Sequence, residues 1–341
     1  MRRSLLACAL AVLLAGCGTT AEEREPDLVS DGPGPGVSTP QRTGPQSSRA
    51  GVVRIAIVTH GQASSAFWAT VRNGIDAAAR QMDVAVGYRS PDVYSVSSMR
   101  RLIDAAIATR PDGLVVSIPD PALAGAIRRA VRAGIPVVSI NSGSDLYRRL
   151  GVLAHVGQPE GQAGLEAGRR LAAAGVRHAL CVNQEVGNIG LDRRCRSFGR
   201  AIRAAGGTSR VLAIDLNDTV ATQRRLTRAV ASSSVDGVLT LNSGGAQAAL
   251  DAIVATGRER EVPLGTFDLS PDVLDAVRVG RIRFAIDQQA YLQGYLPVML
   301  LGQYARYGLF AAQGDVIPTG PHFVTRENAA QAIRLSRRGI R

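Results

Sequence analysis

From Val53 onward, short runs of β-branched and aliphatic residues alternate with stretches whose apolar positions recur at helical spacing. The first kind predicts strands buried on both faces, the second amphipathic helices, and their alternation is the pattern of βαβ units on a parallel sheet. Candidate strands are Arg54 to Thr59, Asp83 to Tyr88, Gly113 to Ile118, Ile135 to Ile140, His178 to Asn183, Val211 to Ile214, Gly237 to Leu241, Pro263 to Phe267 and Arg283 to Ile286. The fold class is α/β.

A repeat runs through this alternation. Asp112-Gly113-Leu114-Val115-Val116 recurs as Asp236-Gly237-Val238-Leu239, an offset of 124. Ile135-Pro136-Val137 recurs as Val262-Pro263-Leu264 at 127, and Gly74 matches Gly199 at 125. Three markers in order at nearly one offset predict two lobes, each a doubly wound parallel sheet. Ligands of such sheets sit beyond the carboxyl ends of the strands, so two facing lobes make a cleft lined by strand-end loops.

The segment before Val53 has a different texture. Met1-Arg2-Arg3, an apolar run from Leu5 to Leu14 and then Leu14-Ala15-Gly16-Cys17 resemble a bacterial lipoprotein signal over residues 1–16, with Cys17 as the lipid-carrying first residue of the mature chain. A membrane span needs roughly 20 apolar residues, and this run breaks sooner. Residues 17–51 carry Gly-Pro repeats and almost no large apolar side chain, the composition of a flexible tether.

The formal charge is +12, with no lysine in the chain. The arginines are spread along the helices rather than clustered, so the basic balance is that of a solvated surface and does not point to nucleic acid. Inside the folded region only Cys181 and Cys195 remain, one in a candidate strand and the other early in the next helix. For an exported chain that spacing predicts a structural disulfide. His60, His155, His178 and His322 lie far apart without ligand spacing, so no metal and no cofactor is expected.

The offset also names the residues that face each other. Asn141, after one strand, matches Asp268 after another at 127, and Trp68 at the start of the first helix matches Arg194 at 126. Asn242 and Gln288 fall at further strand ends, and Phe67 precedes Trp68. Aromatic faces stack on the C–H face of a ring, while amides, a carboxylate and a guanidinium satisfy hydroxyls that both donate and accept. The set suits a neutral polyhydroxylated ligand. Each member also has a local reading: Asn141 and Asp268 as caps or turn formers, Phe67 and Trp68 as core, Arg194 as a solvated helix face.

The stretches Ile55 to Gly74, Gly113 to Pro119, Ile135 to Asn141, Asp192 to Phe198, Val238 to Asn242, Leu264 to Asp268 and Phe284 to Gln288 resemble, in order and spacing, the type I periplasmic sugar-binding proteins. These are solute receptors of ABC importers related to ribose-binding protein. The resemblance implies two lobes joined by a three-stranded hinge that close on a sugar. Hinge crossings fall near His155 to Gln158, Ile286 to Gln289 and Gly314 to Pro318. The lobes then comprise 52–156 with 290–314, and 157–288 with 315–330. It further implies that Phe67 and Trp68 stack on the ring, and that Asn141, Arg194, Asn242, Asp268 and Gln288 hydrogen-bond it. Its partners are a permease and its ATPase, and it acts as a monomer at the outer face of the cell membrane, in a periplasm or at a cell surface. The chain departs from the ribose receptor in carrying Asn141 for an aspartate and Ile118 for an asparagine, which leaves a cyclic polyol such as an inositol open as ligand.

Other classes fit less well. Thr59-His60-Gly61-Gln62-Ala63-Ser64-Ser65 is not the Gly-rich turn of a nicotinamide enzyme, and no P-loop, His-Glu-x-x-His or Gly-x-Ser-x-Gly element occurs. A transcriptional regulator with the same sensor lobes would need a helix-turn-helix before the first strand, where this chain is rich in Pro and Gly. A receptor that reports to a signalling partner would bind the same ligand and differ only at the membrane.

Overall fold

The computed structural model describes residues 51–61, 65–92, 94–312 and 314–341. Cys17, the predicted signal and all of the predicted tether but Gly51 lie outside the described residues. The first lobe is built on β1 (Arg54–Val58), β2 (Ala85–Arg89), β3 (Gly113–Ser117), β4 (Val137–Ile140), β5 (Ala154–Gly157) and β11 (Val316–Pro318). They form one parallel sheet in the order β11-β5-β4-β3-β1-β2. The second lobe uses β6 (His178–Asn183), β7 (Thr208–Ala213), β8 (Gly237–Thr240), β9 (Leu264–Phe267), β10 (Phe284–Asp287) and β12 (His322–Val324), in the order β12-β10-β9-β8-β6-β7. Only β12 runs antiparallel to its neighbour there.

The predicted repeat is therefore a repeat of sheets. The register pairs Leu114 with Val137 in one lobe and Val238 with Leu264 in the other, which are the markers that recur in the sequence. Central strands such as Gly113–Ser117 are buried at every position, as covered parallel strands are, whereas edge strand Ala85–Arg89 alternates. Each sheet has an apolar core on both faces, and Trp68 belongs to one core of the first lobe.

Helices α1 (Ala66–Met82), α2 (Val96–Ala108), α3 (Ala124–Arg132) and α9 (Ala290–Tyr307) cover the first sheet; α4 (Glu160–Ala173), α5 (Ile189–Ala204), α6 (Thr219–Ala231), α7 (Ser243–Ala255), α8 (Pro271–Arg278) and α10 (Ala329–Ser336) belong to the second lobe. Side-chain caps set where several start. Ser95, Asn188, Asp218, Asn242 and Ser270 each accept a backbone N–H of the first turn. Glycines let two helix pairs touch through their backbones. A Cβ on Gly294 would lie 1.9 Å from the Val71 carbonyl, fixing α9 on α1, and one on Gly164 would lie 2.3 Å from the Arg194 carbonyl, fixing α4 on α5. Gly199 has no comparably close backbone neighbour, so its match to Gly74 is one of position and not of packing.

Three segments join the lobes. The chain passes from β5 to α4 at Gln158 and Pro159, and from β10 to α9 at Gln288 and Gln289. It returns from β11 to β12 through Thr319 and the cis Gly320–Pro321 bond. This last crossing corrects the expected position at Gly314 to Pro318 and the boundary after residue 314. Val316, Ile317 and Pro318 pair with His155, Val156 and Gly157, so they, and Gly157 itself, stay in the first sheet. The second lobe also continues beyond residue 330, because α10 places Ala329 and Ala332 in its core. Cys181 of β6 and Cys195 of α5 form a disulfide.

Candidate functional site

The strand ends of the two lobes carry the polar groups. Asn141 follows β4 and Asp268 follows β9, and both adopt the left-handed backbone region, at φ 60° and 68°. Asn and Asp enter that region at low cost among residues with a side chain. The same turn at matching positions is the residue-level form of the repeat.

Around Asp268 the second lobe and hinge build one buried network. Gln288 Nε2 donates to Asp268 Oδ1, and Arg194 Nη2 donates to Gln288 Oε1 at 2.9 Å. Arg194 also meets Glu160 with two prongs, Nε to Oε2 at 2.5 Å and Nη2 to Oε1 at 2.7 Å, while Gln158 Nε2 donates to Glu160 Oε2 at 3.0 Å. The guanidinium carbon lies 4.4 Å from the centre of the Phe267 ring. Arg194 and Glu160 are 1% and 2% exposed. Burial pushes the Asp268 carboxyl up to about 7, although Arg194 and the Gln288 hydrogen bond pull the other way.

Asn141 belongs to a second cluster. Its Nδ2 donates to Gln293 Oε1 at 3.3 Å, and Gln293 Nε2 donates to the Gln288 carbonyl and to Thr319 Oγ1, each at 3.1 Å. Gln293 thus ties α9 to two of the three crossings.

A third cluster spans the cleft. Asn188, the cap of α5, accepts Gly190 N–H on Oδ1 at 3.1 Å and the Ser142 hydroxyl on the same atom at 3.0 Å. Its Nδ2 therefore faces Glu185 Oε2 at 2.8 Å and His60 Nε2 at 3.3 Å. His60 Nε2 accepts, which leaves the ring proton on Nδ1, 2.8 Å from Ser117 Oγ. Burial lowers the pKa of His60, with Glu185 opposing and Arg194 adding to the effect. Ile189 N–H donates to the Pro119 carbonyl at 2.9 Å, and Arg193 pairs with Asp145. The lobes are in contact over the site.

Of the aromatic pair, Trp68 is buried in the first core with its ring edge-on to His60 at 5.1 Å, and half-buried Phe67 meets Trp68 edge-on at 5.1 Å. Asn242 stands at the strand end as expected, but its Oδ1 caps α7 by accepting Gly245 N–H at 2.7 Å. The structure thus joins Arg194, Asp268 and Gln288 directly, sets Asn141 one hydrogen-bonded step away through Gln293, and leaves Asn242 with local work. Sequence reasoning missed Glu160, Gln293 and Asn188, and for His60 it set a place lining the cleft below that of a loop histidine without a catalytic role. The available signal was position: Glu160 opens the helix after a crossing, and His60 follows β1. Among the described residues no cluster of His, Cys, Asp and Glu could hold a metal ion, and no helix is long and apolar enough to cross a membrane.

Two parallel-sheet lobes joined by three crossings, with polar side chains gathered at facing strand ends, define the type I periplasmic binding protein fold. Residues 55–308 match the periplasmic binding protein domain, and the chain belongs to that family. It is 35% identical to a carbohydrate transporter from Acidothermus cellulolyticus solved in complex with myo-inositol, covering 85% of this chain and 100% of that one with a TM-score of 0.80. It is 24% identical to the xylose/arabinose-binding protein XylF of Sulfolobus acidocaldarius, over 83% of this chain and 74% of that protein. The arabinose-binding protein AraP of Geobacillus stearothermophilus, at 23% identity and a TM-score of 0.66, covers 82% of this chain and 99% of its own and shares the fold.

Proposed function

We propose that this chain is an extracytoplasmic solute-binding protein that captures a sugar or cyclic polyol between its lobes and delivers it to an ABC importer, anchored to the membrane through a lipid on Cys17. It acts by binding and closure and not as an enzyme. The observation that carries the reading is the buried group of Asp268, Gln288 and Arg194 at the second lobe's strand ends, opposite Asn141 and His60 of the first. These donors and acceptors suit hydroxyls, and the lobes' contacts through Asn188 supply a closed state for a bound ligand to favour. The likeness to the protein solved with myo-inositol supports a cyclic polyol, as does the presence of Asn141 in place of a further carboxylate.

In this reading ligand hydroxyls replace Gln288 as donors to Asp268. Replacing Asp268 by Ala leaves a buried hydroxyl without its acceptor, and hydrogen bonds to a charged group contribute roughly 1.5–3 kcal/mol, so affinity falls by about tenfold to a hundredfold or more. Calorimetric titration of Asp268→Ala against the wild type tests this. Affinity retained within a few-fold would refute the site.

A further inference from the structure

Arg194 is the one buried cation among the described residues, and it lies inside the proposed site. A guanidinium there would ordinarily attract carboxylates and phosphates, which it holds with two parallel hydrogen bonds. Here that recognition face is already taken. Glu160 occupies Nε and one hydrogen of Nη2, and Gln288 Oε1 takes the other, so Nη1 is the group left for a ligand. Glu160 is itself fixed from the far side by Gln158, and α4, which it opens, is locked on α5 by the backbone contact at Gly164.

The charge of the site follows. Arg194 and Glu160 cancel; Asp268 contributes a carboxyl, Glu185 stands at the rim 3.7 Å from His60 Nε2, and His60 is held neutral by burial. An anion entering the cleft would meet no uncompensated positive charge and at least one carboxylate. It would have to displace Glu160 from Arg194, or accept from Nη1 with its charge uncompensated because Glu160 already balances the guanidinium, and a buried charge without a countercharge costs several kcal/mol. A neutral hydroxyl has no such cost and can accept from Nη1.

We propose that Glu160 is a specificity-determining residue: by neutralising Arg194 it makes the cleft select uncharged polyols and reject their acid and phosphate derivatives. It acts through Arg194 and is a positioning residue. The inference rests on the polyol reading of the cleft and adds to it the rule by which charged relatives of the ligand are excluded.

The test is calorimetric titration of the protein with three matched pairs: myo-inositol and myo-inositol 1-phosphate, D-glucose and D-glucuronate, D-galactose and D-galacturonate. The wild type is expected to prefer the neutral member of any pair it binds by about a hundredfold, and Glu160→Gln to shift that ratio toward the anion by about tenfold or more, a difference near 1.4 kcal/mol. Glu160→Asp, which keeps the charge, should keep the preference. A merely structural role would weaken both members together and leave the ratio unmoved. Equal wild-type affinity for the two members of a bound pair overturns the inference without any variant, as does an unchanged ratio in folded Glu160→Gln. Should no neutral member bind, the polyol reading itself fails and the inference goes with it.

Discussion

Asp268 concentrates the chemistry of the site in one titration. Burial pushes its carboxyl up to about 7, far above its ordinary 3.8. The folded chain therefore keeps a proton that the unfolded chain loses near 3.8, and this contribution to stability is present in acid and lost as pH rises toward about 7. A ligand whose hydroxyls donate to the carboxylate favours the charged form, so binding below neutrality releases a proton and affinity rises with pH until it levels off above about 7. Calorimetry at mildly acidic pH in two buffers of different ionisation heat should show different apparent enthalpies for the wild type and equal ones for Asp268→Asn. Equal enthalpies in the wild type would contradict this, because they would mean that the carboxyl does not change its protonation when the ligand binds. His60 adds a second acid sensitivity of different origin. Protonating Nε2 places a donor against the Nδ2 of Asn188 and removes a contact that spans the lobes.

At the scale of elements, the second lobe carries a staple that the first lacks. The Cys181–Cys195 bond ties β6 to α5, the helix that presents Arg194, with 14 residues of separation. Cross-linking a loop of that size stabilises by roughly 3 kcal/mol, so adding reductant should lower the urea midpoint of unfolding by a corresponding amount without unfolding the protein in water. An unchanged midpoint, or two free thiols in the denatured, unreduced protein, would contradict this. Among the described residues nine of the twelve strands are legible in the sequence because each contains a short run of aliphatic residues, although Thr208–Ala213 is so only in its second half. The other three are not. Ala154–Gly157 contains His155, Val316–Pro318 ends in proline, and His322–Val324 is three residues long, so each becomes a strand through its neighbours and not through its own pattern. The same limit applies to the candidate site. Asn141, Arg194, Asp268 and Gln288 are visible because strand ends and helix starts can be counted along the chain, whereas Glu160 and Gln293 reach the site only through the way α4 and α9 leave the crossings.

For the whole molecule, the repeat makes a clamp. Two similar lobes present matched left-handed turns at Asn141 and Asp268, and the crossings at Gln158, Gln288 and Thr319 are themselves polar parts of the networks that meet them. In the proposed receptor closure and binding are one equilibrium, and a solute that satisfies the strand ends is expected to shift the population toward the state in which Asn188 meets His60 and Ser142. The single tryptophan, Trp68, lies edge-on to His60 and so next to the contact that closure makes or breaks. The most direct measurement is a titration of the protein with myo-inositol, pentoses, hexoses and other polyols, followed by Trp68 fluorescence and by calorimetry. A saturable change with one of these compounds, with binding heat to match, is the predicted result; no response to any of them by either method would contradict a sugar or polyol receptor.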